Sequence, residues 1–433
     1  MAYVQLTSTC FSEAIGTHGL DRTRYEIALA KTKSAISSLK SGHSDGSLPF
    51  LCFPEAHDDI QHLWDIASSY QENFDDVVIL GIGGSSLGGR TLVSLAESKI
   101  NLHMKKPKLH FFDNIDPHSL DNLLRYLIAP RTGFLVISKS GETAETVVQF
   151  LICFQAAKEK FGDKAHEHFT VIVQPGKSVM RQRAEALDIP IFDHHPKIGG
   201  RYSAFSLVGL LPAMIAGLNP ETIRKGAAEV LMPILDCASP EFIEPAIGAA
   251  ISFALATENQ VKTTVLMSYS DRLESFGLWF RQLWAESLGK KGKGTTPVNA
   301  LGAVDQHSQL QLYLDGPRDK MFTLILLACA EKGPRVASSW AKDKALTYLA
   351  NKTVGDLMEA EQNATAKTLI ENYRPTRIFR LSTLDEYSLG GLMMHFMLET
   401  IIAAHLFEIN PFDQPAVEEG KVLARKFLTD GGG

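Results

Sequence analysis

Val77-Val78-Ile79-Leu80-Gly81-Ile82-Gly83-Gly84-Ser85-Ser86-Leu87-Gly88-Gly89 passes from four apolar residues straight into a glycine-rich turn. The apolar run, mostly β-branched, reads as a short buried strand, and the stretch from about Leu87 as a helix. The same arrangement recurs downstream. Phe134-Leu135-Val136-Ile137 leads into Ser138-Lys139-Ser140-Gly141-Glu142-Thr143, and a helix follows from about Thr143 to Lys160. Leu109–Asp113 and Thr170–Val173 read as further strands. Strand, loop, helix and strand in this rhythm specify βαβ units and a parallel sheet. Such sheets hold ligands at the carboxyl ends of their strands.

Both loops therefore fall where a ligand sits. Glycines in the first let the backbone come close, and a helix N-terminus presents free N–H groups to an anion. A dinucleotide fingerprint needs glycine at Ser86, and a Walker A loop needs lysine at Arg90, so neither motif is met. Taken alone the loop also reads as a packing turn. The second loop adds hydroxyls at Ser138, Ser140 and Thr143 and the Lys139 ammonium, a set suited to one phosphate.

Outward from these units, residues 21–40 read as a helix and Lys40–Pro49, rich in Gly and Ser, as a loop. In the second half Ala246–Ala256 and Asp271–Leu288 read as helices, and Val261–Met267, Gln309–Leu314 and Arg377–Leu381 as strands, giving a second α/β domain. Gly431–Gly433 reads as a disordered end. Leu389–Phe407 is long enough to span a bilayer but carries His395, Glu399 and His405, and reads as a core helix.

The 433 residues carry a net charge of −6, which does not favour a nucleic-acid partner. Five scattered cysteines without a C-x-x-C pair point to reduced thiols in a cytosol-like compartment. Met1–Gly16 lacks the basic-then-apolar pattern of a signal peptide. No metal is expected: neither His194-His195 nor His166-Glu167-His168 has H-E-x-x-H spacing, and no cysteine stands near.

Four residues could do chemistry. Glu286 follows Leu273, Phe276, Trp279 and Leu283 at helical spacing, which puts a carboxylate on the apolar face just before Gly289. That is a candidate general base; a solvated glutamate paired with Lys290 or Lys291 is the alternative. Arg201 follows Gly199-Gly200, either a guanidinium presented to a ligand or a surface turn. His307 lies in the polar cluster Asp305–Gln309, and Lys421 in Val417–Lys421. By themselves they read as a loop histidine and a solvated helix lysine.

The two glycine- and serine-rich loops resemble the sugar isomerase (SIS) domain, which binds phosphosugars. The full set of segments resembles the glucose-6-phosphate isomerase family. Gly81-Ile82-Gly83-Gly84-Ser85, Ile137-Ser138-Lys139-Ser140-Gly141, Gly199-Gly200-Arg201-Tyr202-Ser203, Glu286-Ser287-Leu288-Gly289-Lys290, Gln306-His307 and Phe412-Asp413-Gln414 stand in family order. Two departures flank them, Pro196-Lys197 and Ala416, where the family has an acidic or small polar residue and a glycine.

The resemblance implies an α/β protein of two SIS-type domains, each a parallel-sheet sandwich, with a helical C-terminal tail. Its divisions are an arm at 1–45, domains at 46–215 and 216–408, and a tail at 409–433. It implies reversible interconversion of glucose 6-phosphate and fructose 6-phosphate by ring opening and enediol proton transfer, without a cofactor. Glu286 would be the base, Arg201 the enediolate stabiliser, and His307 with Lys421 the ring-opening pair. Gly84, Ser85, Ser138, Lys139, Ser140, Thr143, Gly200 and Gln414 would bind substrate. The implied assembly is a cytoplasmic homodimer with His307 contributed across the interface, and no membrane partner. A regulator that binds phosphosugars without turnover, or an isomerase acting also on mannose 6-phosphate, are the other readings.

Overall fold

The computed structural model describes residues 1–96 and 107–430, among which ten strands form two five-stranded sheets. The first sheet has β2 (Asp76–Leu80), β3 (Lys108–Phe112), β4 (Thr132–Ile137), β5 (Phe169–Val173) and β6 (Ile191–Asp193), in the order β3-β2-β4-β5-β6 and parallel throughout. The second has β7 (Thr263–Ser268), β8 (Thr296–Leu301), β9 (Lys320–Leu327) and β10 (Thr376–Leu381), parallel in the order β10-β9-β7-β8. Its fifth strand, β1 (Val4–Leu6), joins β10 antiparallel. The two-sheet α/β architecture expected from the sequence is the one observed.

The continuous apolar runs are central strands. Val77–Leu80 and Phe134–Ile137 are buried on both faces, as a parallel sheet covered by helices requires. The two strands pair directly, Leu80 opposite Val136, so both loops leave the same edge side by side.

The largest core is helical. It includes Leu207–Ile215, Pro220–Leu235, Glu274–Leu288 and Glu386–Leu406, with separate clusters around the first and second sheets. Glu386–Leu406 is the one described helix long and apolar enough to cross a membrane, and 94% of its most apolar stretch is buried within the protein. Its polar residues are accounted for. His395 Nε2 is 2.9 Å from Glu399 Oε2, Arg377 Nη1 donates to the same oxygen at 2.8 Å, and the Tyr3 hydroxyl meets His395 Nδ1 at 2.6 Å. The pairing of Glu399 with Arg377 keeps a buried carboxylate from standing alone. His405 instead meets Ser34 Oγ at 2.8 Å.

Two segments depart from the sequence expectation, and a third lies beyond the described residues. Gln309–Leu314 alternates like a strand but forms the helix Leu310–Asp315. The segment connects β8 to the parallel β9, two strands away across β7, and the places beside β7 are already taken. Residues 40–44, expected in a loop, extend the helix Arg22–Ser44, because Gly42 lets Leu48 fold back against it; a Cβ there would lie 2.6 Å from the Leu48 side chain. Gly431–Gly433 lies outside the described residues. All five cysteines are free thiols.

Candidate active site

The first loop leaves β2 at Gly81, and Gly83 adopts a left-handed φ of 59° that turns the chain back. Gly84 then touches the backbone of Gly200: a Cβ on Gly84 would lie 2.2 Å from the Gly200 carbonyl carbon. Paired glycines thus let two loops meet without side chains between them, and the contact sets Arg201 over the sheet edge.

Arg201 is 3% exposed. Its Nε donates to Ser287 Oγ at 2.9 Å. Nη1 donates to Glu286 Oε2 at 3.1 Å and Gln414 Oε1 at 2.9 Å. Nη2 donates to the carbonyls of Pro411 at 2.5 Å and Asp413 at 3.1 Å. The five donors of the planar fork all have acceptors. One side chain therefore ties the Gly-Gly loop to the Glu274–Leu288 helix and to the start of the C-terminal tail. Phe412 packs on the Tyr202 ring at 5.4 Å, and Lys290 Nζ holds Asp413 Oδ1 at 3.1 Å.

Glu286 sits at the rim of the apolar face rather than within it, with its side chain 33% exposed. Gln282, one helical turn earlier, donates to Glu286 Oε1 at 3.0 Å. The same Nε2 would stand 2.9 Å from a Cβ at Gly83. Both carboxylate oxygens are therefore held, one from the first loop's side and one by Arg201. A carboxylate fixed in this way beside a guanidinium can take a proton from carbon while the charge left on oxygen has a partner.

The second loop stands alongside. Ser138 is buried at the end of β4, and its Oγ accepts the Gly141 N–H at 3.2 Å; Ser140 Oγ accepts that of Glu142 at 3.2 Å. Thr143 caps the helix Ala144–Phe161 without a side-chain cap bond, leaving the first-turn N–H groups to be matched by something else. Lys139 makes no side-chain hydrogen bond among the described residues. Burial, and next the nearby Arg201 charge, hold its ammonium below the usual lysine range. Positive charge, hydroxyls and helix N–H groups gather at one edge, a donor set suited to an anion. Arg90, at the position of a Walker lysine, is turned to Asp113 at 3.2 Å instead.

A family model described as phosphoglucose isomerase matches residues 64–431. The chain belongs to the phosphoglucose isomerase family. The glucose-6-phosphate isomerase of Rubrobacter xylanophilus is 36% identical over 378 residues, 86% of this chain and 87% of its own. A glucose-6-phosphate isomerase of Thermus thermophilus is 33% identical over 428 residues, 96% and 97% of the two chains. Among solved structures, a hypothetical protein from Thermus thermophilus aligns with a TM-score of 0.85 at 32% identity, over 98% of this chain and 99% of that one. The glucose-6-phosphate isomerase of Chlamydia trachomatis aligns at 0.73 and 23% identity, over 86% and 73%, a likeness of fold.

In this member of the phosphoglucose isomerase family the single chain gathers Gly84, Gly200, Arg201, Glu286 and Gln414, with Ser85, Ser138, Lys139, Ser140 and Thr143 along the neighbouring loops. It does not bring the remaining two to them. His307 is exposed after β8, and its ring has no hydrogen-bond partner among the described residues. Lys421 lies on the helix Glu418–Thr429, none of whose residues is buried, and pairs with Glu418 at 2.7 Å. Sequence reasoning missed Gln282 and Ser287 as supports. Gln282 was readable, since it stands four residues before Glu286 on one helix face. Ser287 was not, since its partners Arg201 and Tyr202 arrive from another loop.

Proposed function

We propose that the chain interconverts glucose 6-phosphate and fructose 6-phosphate with Glu286 as the base, Arg201 opposite it, and the substrate phosphate on the second loop. The observation that carries this reading is the Glu286–Arg201 pair near Lys139, whose ammonium has no hydrogen-bond partner among the described residues.

In this reading the phosphate lies against Ser138, Lys139, Ser140 and Thr143, with Gly84, Ser85 and Gly200 lining the approach. His307 and Lys421 open the sugar ring by moving a proton between the ring oxygen and the anomeric hydroxyl. Glu286 then takes the proton from C2 of the aldose and returns it to C1, while the hydroxyl proton of C2 passes to the C1 oxygen side through solvent or a neighbouring group. Arg201 offsets the charge on the enediolate oxygens, and Gln414 contacts the sugar. Two electrons move within one substrate, so the step calls for no redox cofactor.

We read the functional unit as a cytoplasmic homodimer in which His307 serves the partner's site. Its exposure and its lack of a hydrogen-bond partner among the described residues support this. Lys421 must leave Glu418, an exposed pair worth no more than about 1 kcal/mol. The arm, the two SIS domains and the tail keep the boundaries 1–45, 46–215, 216–408 and 409–433 in this proposal, and the reaction belongs to glycolysis and gluconeogenesis.

The test is turnover. Purified protein given fructose 6-phosphate, with glucose 6-phosphate followed by its dehydrogenase through NADPH, should show sustained conversion. Binding of the phosphosugar without conversion would make the chain a binding protein.

A further inference from the structure

At the amino ends of the second sheet's strands, away from the loops just described, is a cavity of about 280 Å³. Its walls include Thr17, His18, Asn259, Arg318, Tyr373 and Arg374. Arg318 precedes β9 and Arg374 precedes β10. Arg374 is 2% exposed. Its Nη2 donates to the carbonyls of Leu314 at 2.5 Å and Gly316 at 3.0 Å, but Nε and Nη1 are buried with no partner among the described residues. Arg318, exposed at the mouth, gives Nη1 to the carbonyls of Asn372 at 2.8 Å and Tyr373 at 3.4 Å.

Neither guanidinium has an ion-pair partner among the described residues. The acidic groups nearby are engaged elsewhere. Asp319 is held by Lys320 at 2.5 Å, Glu258 on the cavity wall is 3.7 Å from Arg24, and Asp315 accepts from Gln311 at 3.3 Å. Asp319 and Asp315 act on Arg374 only through space and form no ion pair with it; a buried cation so weakly compensated is costly, and the neighbouring Arg318 adds repulsion. Burial first, and Arg318 second, pull the Arg374 guanidinium below the usual arginine range, against the smaller opposing pull of Asp319 and Asp315. An acceptor with two oxygens and negative charge would satisfy the free edge of Arg374 and relieve the repulsion together. The space is close to the lower end of the ~300–1,000 Å³ typical of small-molecule sites.

We propose that this cavity is a second anion site, in which Arg374 and Arg318 take the phosphate or carboxylate group of a small metabolite. It shares no residue with the phosphosugar site.

Inorganic phosphate titrated by calorimetry into the full-length protein tests this. Wild type should show two classes of site. Arg318→Met should weaken one class by at least ~10-fold, the loss of a charge-assisted bond, while isomerase turnover stays at the wild-type level. Arg374→Lys, which keeps charge but not the fork, should weaken the same class. Lys139→Met should remove only the other class. If Lys139→Met has no effect on phosphate while Arg318→Met does, the second site stands and the phosphosugar reading of Lys139 fails. An Arg318→Met protein that titrates like wild type, or a single class in wild type that vanishes with Lys139→Met, overturns the proposal; the arginines would then be hydrated. Malonate repeats the titration for the carboxylate source: competition with phosphate at the Arg318-sensitive class assigns a carboxylate-accepting site, and no competition a phosphate-selective one, either result upholding the site.

Discussion

Arg201 Nη1 lies 3.1 Å from Glu286 Oε2 and donates in the same fork to Gln414 Oε1 at 2.9 Å. One guanidinium therefore joins the proposed base to the tail that supplies a proposed sugar contact. Arg201→Lys keeps the charge but has one nitrogen where the fork reaches Ser287, Glu286, Gln414, Pro411 and Asp413. Turnover should fall ~10²–10³-fold, the scale of losing a preorganised donor at a developing charge. The tail should also become more readily cut by protease near residue 411. Steady-state kinetics with limited proteolysis check both. A variant with lowered turnover and an equally protected tail would separate the two roles.

Lys139 gives an alkaline signature. Its ammonium is held below the usual lysine range of ~10.4 by burial and then by Arg201. A cation with a depressed pKa loses its proton earlier as pH rises. KM for fructose 6-phosphate should therefore begin to climb below that range, with kcat less affected. Lys139→Met should raise KM at every pH and remove the limb. A KM that is flat up to the ordinary lysine range would contradict the assignment.

His194 gives an acid signature in stability. The ring is 1% exposed, Nδ1 meets the His195 carbonyl at 3.0 Å, and Nε2 has no partner among the described residues. Burial, with Lys139 and His195 adding to it against that hydrogen bond, pulls the imidazole down to about 4. The unfolded chain binds this proton near pH ~6.5 and the folded one does not, so stability falls as pH drops from there towards 4. The loss reaches at most ~3 kcal/mol. Urea unfolding at neutral and acid pH should show a shallower acid loss for His194→Gln than for wild type. Parallel losses would remove His194 as the source.

His307 allows a test of assembly. Glu286→Gln and His307→Ala should each be inactive alone. If His307 serves the partner's site, a mixed dimer holds one site with both residues intact, so unfolding and refolding the two together should restore activity. Mixtures as inactive as their parents would place His307 in the site of its own chain or outside it.

The central strands of the first sheet were legible because their signals are local: an apolar run, a turn and a helix start are contiguous at Val77–Gly89 and again at Phe134–Thr143, whereas the short edge strand Ile191–Asp193 was not read. Gln309–Leu314 misled because alternation alone does not tell whether the sheet has a place for the segment, and here β7 and β9 are already paired. The Arg201 cluster shows a different limit. Pro411 and Ser287 reach it across 210 and 86 residues, and no periodicity marks such partners. Strand β1 was missed for the same reason, since three residues acquire their conformation only by pairing with β10.

Glu286 is the proposed base at a phosphosugar site. The most direct measurement compares kcat with the dissociation constant for fructose 6-phosphate in wild type and Glu286→Gln, a change that keeps an acceptor for Arg201. Turnover should fall ~10²–10⁴-fold, the span of general-base catalysis, with binding within a few-fold of wild type. Turnover near the wild-type rate in Glu286→Gln would contradict that role.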